Sequence, residues 1–303
     1  MTYCYVCPHR CGVDRPESLT DPAIATGERY FGSCRSPMAP VVARAGLHHW
    51  EEPPISGTRG SGTVFFAGCN LHCVFCQNFD ISYNNFGKEI TIERLQQIYQ
   101  ELIAQGAHNI NLVTPTHFTE AILKSLAVPL SVPVVYNTSG FETQDTLRKL
   151  KGKVQIYLPD LKYCDDKAAI KYSNAPYYFR TATEAIKEMY RQVGPYELDK
   201  NGIMQKGVII RHLIMPGLLE DSKKVIDWVA ANFEPGQVMF SLMHQYVPHG
   251  RAAEYPEINR KVTDEEYAEL EDYLMRSSIV DGFVQTGEAA SEDFIPCFDG
   301  SGV

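Results

Sequence analysis

From residue 63 onward the chain alternates short apolar runs with stretches in which apolar residues recur every three or four positions. Thr63-Val64-Phe65-Phe66-Ala67 is a continuous apolar run stopped by Gly68, the pattern of a strand buried on both faces. Similar runs stand at 108–113, 132–136, 154–158, 207–212, 237–242 and 281–284. Helical periodicity fills the gaps, over 91–105, 117–126, 143–150, 177–192, 221–233 and 264–276. Thr91 and Thr263 are placed as N-caps, and the second is followed by Asp264, Glu265 and Glu266, whose charges suit the positive end of a helix. Strand–helix alternation repeated about six times implies a parallel sheet with helices outside and right-handed crossovers. The expected fold class is α/β, a partial (β/α)6 barrel. Sites in such barrels gather at the C-terminal ends of the strands, so the residues after each apolar run are where chemistry is sought.

The first 60 residues have another texture: four cysteines, seven prolines and no sustained periodicity. They are expected to form a loop-rich, metal-stapled segment (1–60) ahead of the barrel and its C-terminal extension (61–303). A chain of 303 residues, 44% apolar, can bury a substantial core. The net charge of −9 and the lack of a long basic run argue against nucleic acid as a partner. No stretch approaches the roughly 18 uninterrupted apolar residues of a membrane span. The start Met1-Thr2-Tyr3-Cys4 carries no charged and then apolar leader, so a cytoplasmic protein with no membrane partner is expected. Seven of the nine cysteines fall in two short-spaced sets, which in a long cytosolic chain read as metal ligands rather than disulfides. Cys164 and Cys297 are left as buried thiols without a role.

The first set, Cys69, Cys73 and Cys76, is spaced C-x3-C-x2-C and follows the first apolar run directly. Three thiolates supply one fewer ligand than a cubane iron–sulfur cluster has irons, which leaves one iron open to a non-protein ligand. A closed zinc site would need a fourth donor, for which His72 is the neighbour at hand. The second set, Cys4, Cys7, Cys11 and Cys34, has four thiols with Pro8 and Gly12 at tight turns. Four thiolates close a structural zinc site and equally fit a second [4Fe-4S] cluster. After the 237–242 run, His244 and Tyr246 place a titratable and a phenolic side chain at the expected barrel mouth, as candidates for relaying a proton or radical.

The C-x3-C-x2-C loop with aromatic Phe75 before its third cysteine resembles the signature of radical S-adenosylmethionine (SAM) enzymes. Three further stretches occur in order with it: Cys4-x2-Cys7-Pro8-x2-Cys11-Gly12-Val13, Glu51-Glu52-Pro53-Pro54-Ile55-Ser56-Gly57-Thr58 and Asn111-Leu112-Val113-Thr114-Pro115-Thr116-His117-Phe118. Together they resemble the group related to pyruvate formate-lyase activating enzyme, in particular an offshoot with an N-terminal four-cysteine motif and no assigned reaction. The resemblance implies a [4Fe-4S] cluster on Cys69, Cys73 and Cys76, with SAM on the open iron and Phe75 near its adenine. It implies reductive cleavage of SAM to a 5′-deoxyadenosyl radical, which abstracts hydrogen from a glycyl-radical protein, a peptide or a small molecule. Reduced flavodoxin or ferredoxin is the implied electron donor.

The resemblance also distributes site residues, with departures. Where the family has Gly-Gly-Glu-Pro to contact the SAM amino group, this chain has Thr114-Pro115-Thr116-His117, leaving Thr114 and Thr116 as candidates and His117 as a helix-start residue. Tyr136-Asn137-Thr138-Ser139-Gly140 and Leu158-Pro159-Asp160-Leu161-Lys162-Tyr163 resemble the segments that hold a monovalent cation and position the ribose. Asp160 and Lys162 match; Asn137 stands where an aspartate is expected, which weakens a cation site. Asn78, Asn137, Thr138, Asp160 and Lys162 are therefore candidate cofactor contacts. Arg211 is a candidate to neutralise the SAM carboxylate, a planar partner that suits guanidinium, and His212 beside it faces the other way. The alternative is a non-catalytic iron–sulfur electron-transfer protein, which would have no use for Asp160, Lys162 and Arg211 at strand ends.

Overall fold

Each of the seven apolar runs forms a strand in the computed structural model, which describes residues 3–284 and 296–303. In chain order the elements are α1 (Pro22–Ala25), β1 (Val41–His48), α2 (Pro53–Ser56), β2 (Ser61–Phe66), α3 (Phe79–Ser82), β3 (Lys88–Glu89) and α4 (Ile92–Ala104). Then come β4 (Ile110–Val113), α5 (Thr119–Ser125), β5 (Val134–Thr138), α6 (Gln144–Leu150), β6 (Ile156–Pro159), α7 (Asp166–Ser173) and α8 (Tyr178–Val193). The last are β7 (Glu197–Leu198), β8 (Met204–Leu213), α9 (Leu219–Asn232), β9 (Met239–Met243), α10 (Asp264–Met275) and β10 (Gly282–Val284). Both expected N-caps form. The Thr91 side chain accepts from the Arg94 amide at 3.1 Å, and Thr263 closes a capping box with Glu266.

Seven strands run parallel in the order β2-β4-β5-β6-β8-β9-β10, each pair joined by a helical crossover. The sheet does not close; β10 is one edge and β3 the other, so the fold is a partial barrel of the expected kind. The sequence pattern missed β1, which pairs antiparallel with β2 from His48↔Ser61 to Val42↔Phe66. Residues 296–303 run along β1, with the Ala45 amide donating to the Ser301 carbonyl at 3.0 Å and the Phe298 ring 5.4 Å from that of Phe65.

Apolar clusters on both faces follow from strands buried on both faces, a small one of Ala43, Phe65, Ile81 and Val113 beside two larger cores. The first core lies between sheet and helices and includes Leu95, Ile98, Ile122, Leu147, Ile186, Val225 and Leu270. The second core lies inside the barrel, where Ile55 of α2 packs with Val135, Ile156, Leu158, Met204, Ile209 and Met239. Ile55 is wholly buried there and plugs the barrel at the end away from the cysteine loop.

Candidate functional site

Gly68 ends the β2 run and turns the chain into the cysteine loop at φ +79°, where a Cβ would stand 2.1 Å from Ser36 Oγ and 2.8 Å from the Cys34 carbonyl oxygen. The loop therefore lies against the N-terminal segment from its first residue. Cys69, Cys73 and Cys76 all line one cavity at the C-terminal ends of the strands. Its volume, about 240 Å³, lies just below the roughly 300–1,000 Å³ that small-molecule sites span. The three sulfurs accept hydrogen bonds from the Leu71 amide (3.3 Å), Ser173 Oγ (3.0 Å) and Ser82 Oγ (3.3 Å). Burial pushes the Cys73 thiol up to about 11 against the pull of Lys162, and burial raises Cys69 and Cys76 too. Three convergent thiols fit an iron–sulfur cluster, since metal binding supplies the deprotonation that burial opposes.

Gly140, at φ +75°, lets the chain leaving β5 press on the end of β6; a Cβ there would meet the Asp160 carbonyl oxygen at 2.4 Å. The Asp160 amide donates to the Thr138 carbonyl (2.9 Å) and the Leu161 amide to that of Arg211 (2.8 Å), which ties three strand ends together. The Tyr178 hydroxyl lies 2.8 Å from the Ser139 carbonyl and 2.9 Å from that of Asp160, and accepts from the Lys162 amide at 3.0 Å.

Side-chain charge is concentrated on the same wall. Lys162 Nζ lies 2.6 Å from Asp160 Oδ2, and Arg211 Nε 2.9 Å from Asp160 Oδ1. Arg211 also donates to Asn137 Oδ1 (2.6 Å) and Glu51 Oε2 (3.2 Å), so its guanidinium is committed within the wall. Burial alone would raise Asp160, but the two cations outweigh it and hold the carboxyl below the usual range. Glu51 and Glu52 go the other way: burial raises both, and Glu52 reaches about 7 with Glu51 adding repulsion and Arg211 opposing.

Of the residues singled out from sequence, Asn78, Thr114, Asn137, Thr138, Asp160, Lys162, Arg211, Phe75 and Tyr246 line this cavity together with the three cysteines. Thr116 and His244 do not. Thr116 Oγ1 is given to buried Glu142 at 2.5 Å, and the His244 ring stacks on Tyr267 at 4.0 Å. The Tyr246 hydroxyl donates to the Ile258 carbonyl at 2.8 Å. His117 is buried, 2.8 Å from the Ala67 carbonyl oxygen, and burial lowers it to about 3. His212 does face away from the cavity, toward the Leu161 carbonyl (2.7 Å) and Ser222 Oγ (2.8 Å). Sequence reasoning missed Glu51, Glu52, Gln77 and Ser139 as cavity residues. The two acids did lie in one of the quoted stretches, and a pair of charges just before two prolines was the available signal.

Cys7 and Cys34 are buried, Cys4 and Cys11 partly so, and their thiols are electrostatic neighbours: Cys34 and Cys11 act on Cys7, and Cys4 and Cys11 on Cys34. The two remaining cysteines are not buried as expected, Cys164 being half-buried and Cys297 exposed. Among the described residues no group of three or more His, Cys, Asp or Glu side chains is drawn around the position of a single metal ion. His9 Nε2 lies 2.7 Å from the Asn70 carbonyl oxygen and His72 Nε2 2.7 Å from that of Ser33, so two histidines join this segment to the cysteine loop.

Residues 63–229, from β2 into α9, match the Radical SAM superfamily. The chain belongs to the radical SAM superfamily. It is 33% identical over 273 residues to an uncharacterized protein of Methanocaldococcus jannaschii, a match covering 87% of this chain and 71% of the relative. Among solved structures it is similar to Streptococcus suis SuiB bound to S-adenosylmethionine, at 12% identity and a TM-score of 0.48 over 72% of this chain. The chain spans about half of SuiB, 48%. It is also similar to a point mutant of spore photoproduct lyase, at 14% identity and a TM-score of 0.49 over 73% of this chain and 74% of that one. A domain of a pyruvate-formate lyase-activating enzyme from Bacteroides vulgatus matches at 12% identity and a TM-score of 0.37, over 64% of this chain and 91% of that one. Radical SAM membership brings with it a [4Fe-4S] cluster, SAM and SAM-dependent radical chemistry. No helix among the described residues is long and apolar enough to cross a membrane.

Proposed function

We propose that this protein is a radical SAM enzyme whose cluster is held by Cys69, Cys73 and Cys76 and whose SAM lies along the wall formed by Asn78, Thr114, Asn137, Thr138, Ser139, Asp160 and Lys162. The observation that carries this reading is the convergence of three loop thiols and the Asp160–Lys162 pair on one cavity at the strand ends. Cluster and SAM, when bound, supply a 5′-deoxyadenosyl radical able to take hydrogen from an unactivated C–H bond. The chain's own residues do the positioning. Lys162 places positive charge beside the thiols and is itself held by Asp160, so it favours thiolates and an anionic carboxylate of the cofactor. Arg211, with its donors already given to Asp160, Asn137 and Glu51, acts through those residues by keeping them in place.

The electron donor in this reading is reduced flavodoxin or ferredoxin, and the hydrogen donor a glycyl-radical protein, a peptide or a small molecule. Cys4, Cys7, Cys11 and Cys34 are assigned a zinc ion or second cluster that stabilises the N-terminal segment against the cysteine loop. The test is anaerobic conversion of SAM to 5′-deoxyadenosine and methionine by reconstituted, reduced protein, together with the change in the cluster's electron paramagnetic resonance on adding SAM. Turnover and a SAM-dependent spectrum that are lost in Cys73→Ala support the reading. A reduced cluster whose spectrum ignores SAM makes the protein an electron carrier instead.

A further inference from the structure

The barrel interior beneath the cysteine loop is layered. Lowest is the apolar plug around Ile55, and on its cavity side two consecutive acids enter from the β1–α2 connection. Glu51 is fully engaged: Oε1 accepts from Asn111 and Asn137 at 3.1 Å each and Oε2 from Arg211 at 3.2 Å. Glu52 is not. It is 6% exposed and lines the cavity, yet its Oε2 has no hydrogen-bond partner, with Arg211 Nη1 at 3.9 Å and out of bonding reach. Arg211 cannot turn to it without giving up Glu51, Asp160 or Asn137, and Lys162 is held by Asp160. Three carboxyls thus face two cations, and the one left over is the one with a free oxygen.

We propose that Glu52 anchors the primary ammonium of a small molecule, the hydrogen-donating substrate, bound in the cavity beneath the cysteine loop. This rests on the radical SAM reading above and names its substrate class. A buried carboxylate oxygen without a hydrogen bond is costly, and an ammonium in the cavity removes that cost by bringing a positive charge and a donor to it. The plug excludes a polypeptide loop entering from below, so the amine arrives from the cysteine-loop side and is presented with its carbon skeleton toward the site assigned to SAM. An ammonium has two sources here, the substrate or the amino group of SAM itself, and the experiment separates them.

Anaerobically reconstituted protein is titrated with propylammonium by ligand-observed NMR, with 1-propanol as the uncharged control, and with SAM by calorimetry. Glu52→Gln keeps the shape of the side chain and removes the charge. The expected result is saturable binding of propylammonium but not of propanol, weakened about tenfold or more in Glu52→Gln, with a smaller change for SAM. Glu52→Asp, which keeps the charge but withdraws it by one methylene, should weaken the amine about threefold and serves if Glu52→Gln does not fold. Equal binding of amine and alcohol, or amine binding that ignores both variants, overturns the proposal. A loss confined to SAM assigns the ammonium to the cofactor and overturns it as well. Failure of the radical SAM reading looks different: the amine still binds through Glu52 while SAM neither binds nor is cleaved.

Discussion

Lys162 Nζ sits 2.6 Å from Asp160 Oδ2 while Arg211 Nε sits 2.9 Å from Asp160 Oδ1, so one carboxylate on the end of β6 is bracketed by two cations beneath the cysteine loop. Both Asp160 and Lys162 are largely buried, which makes the pair sensitive to losing either member. Asp160→Asn leaves Arg211 and Lys162 short of one negative partner, and the expected cost in unfolding free energy of the apo protein is about 3 kcal/mol. Lys162→Met should cost less, roughly 1–2 kcal/mol, because Arg211 still neutralises Asp160. Urea unfolding of both variants checks the order; a larger loss for Lys162→Met would mean that Arg211 does not share the carboxylate.

Thr114 occupies the left-handed region at φ +57°, an uncommon conformation for any residue with a Cβ and a genuine outlier for a β-branched one. It sits where β4 opens into the cavity, and its amide is fixed by the Asn137 carbonyl at 2.9 Å. Such strain costs on the order of 1–3 kcal/mol, against the roughly 0.5–1 kcal/mol that a glycine loses in backbone entropy. Thr114→Gly should therefore stabilise the protein by about 1 kcal/mol, and Thr114→Ala should fall short of it. A glycine variant less stable than the alanine one would show that Thr114 is not strained.

The strands, the long helices and the cysteine loop were legible because each is a local pattern: an apolar run, a helical repeat, a spacing. Val41–His48 was missed for a physical reason, since its core face is interrupted by Arg44 and Gly46 and it gains its place only by pairing with β2. Glu51 and Glu52 stood in one of the quoted stretches but were not placed inside, because two adjacent acids beside Pro53 and Pro54 also look like a solvated turn; the insertion of Ile55 into the barrel carries them inside. Arg211 was found, but not its saturation by Glu51, Asp160 and Asn137, which come from three other segments. Thr116 follows a strand whose end is in the site, yet its hydroxyl is given to Glu142 and it does not line the cavity; Thr138 lines the cavity although its hydroxyl also donates to Glu142.

Glu142 gives a pH prediction. Burial lifts its carboxyl from 4.5 to about 7, with the donors Thr116 and Thr138 opposing. Because the folded value lies above the unfolded one, the contribution to stability is full below about pH 4.5 and disappears as pH rises through about 7. Glu142→Gln carries no such dependence, so its stability relative to the parent should rise between pH 5 and pH 8, on the order of 2 kcal/mol. His117 and His212 are depressed and act in the opposite sense, with stability present above 6.5 and lost on acidification. They act alike in parent and variant and cancel in the difference. Denaturant melts at several pH values read that difference, and a flat one would mean that Glu142 is ionised in the folded protein.

The N-terminal segment should control the order of the cysteine loop. His9 reaches the Asn70 carbonyl and His72 the Ser33 carbonyl, both at 2.7 Å, and Arg15 ties the same region together by donating to the carbonyls of Ser36 (3.0 Å), His117 (2.7 Å) and Pro37. Each histidine bond is worth about 0.5–1.5 kcal/mol net, so His9→Ala and His72→Ala together should make opening of the loop about tenfold more frequent or more. Hydrogen exchange of the amides from Gly68 to Asn78 reads that opening directly, and the packed helices α9 and α10 serve as an internal control. Faster exchange in the loop with α9 and α10 unchanged is the expected outcome. Uniform acceleration would mean global destabilisation, and no change would mean that the loop holds its shape without the N-terminal segment.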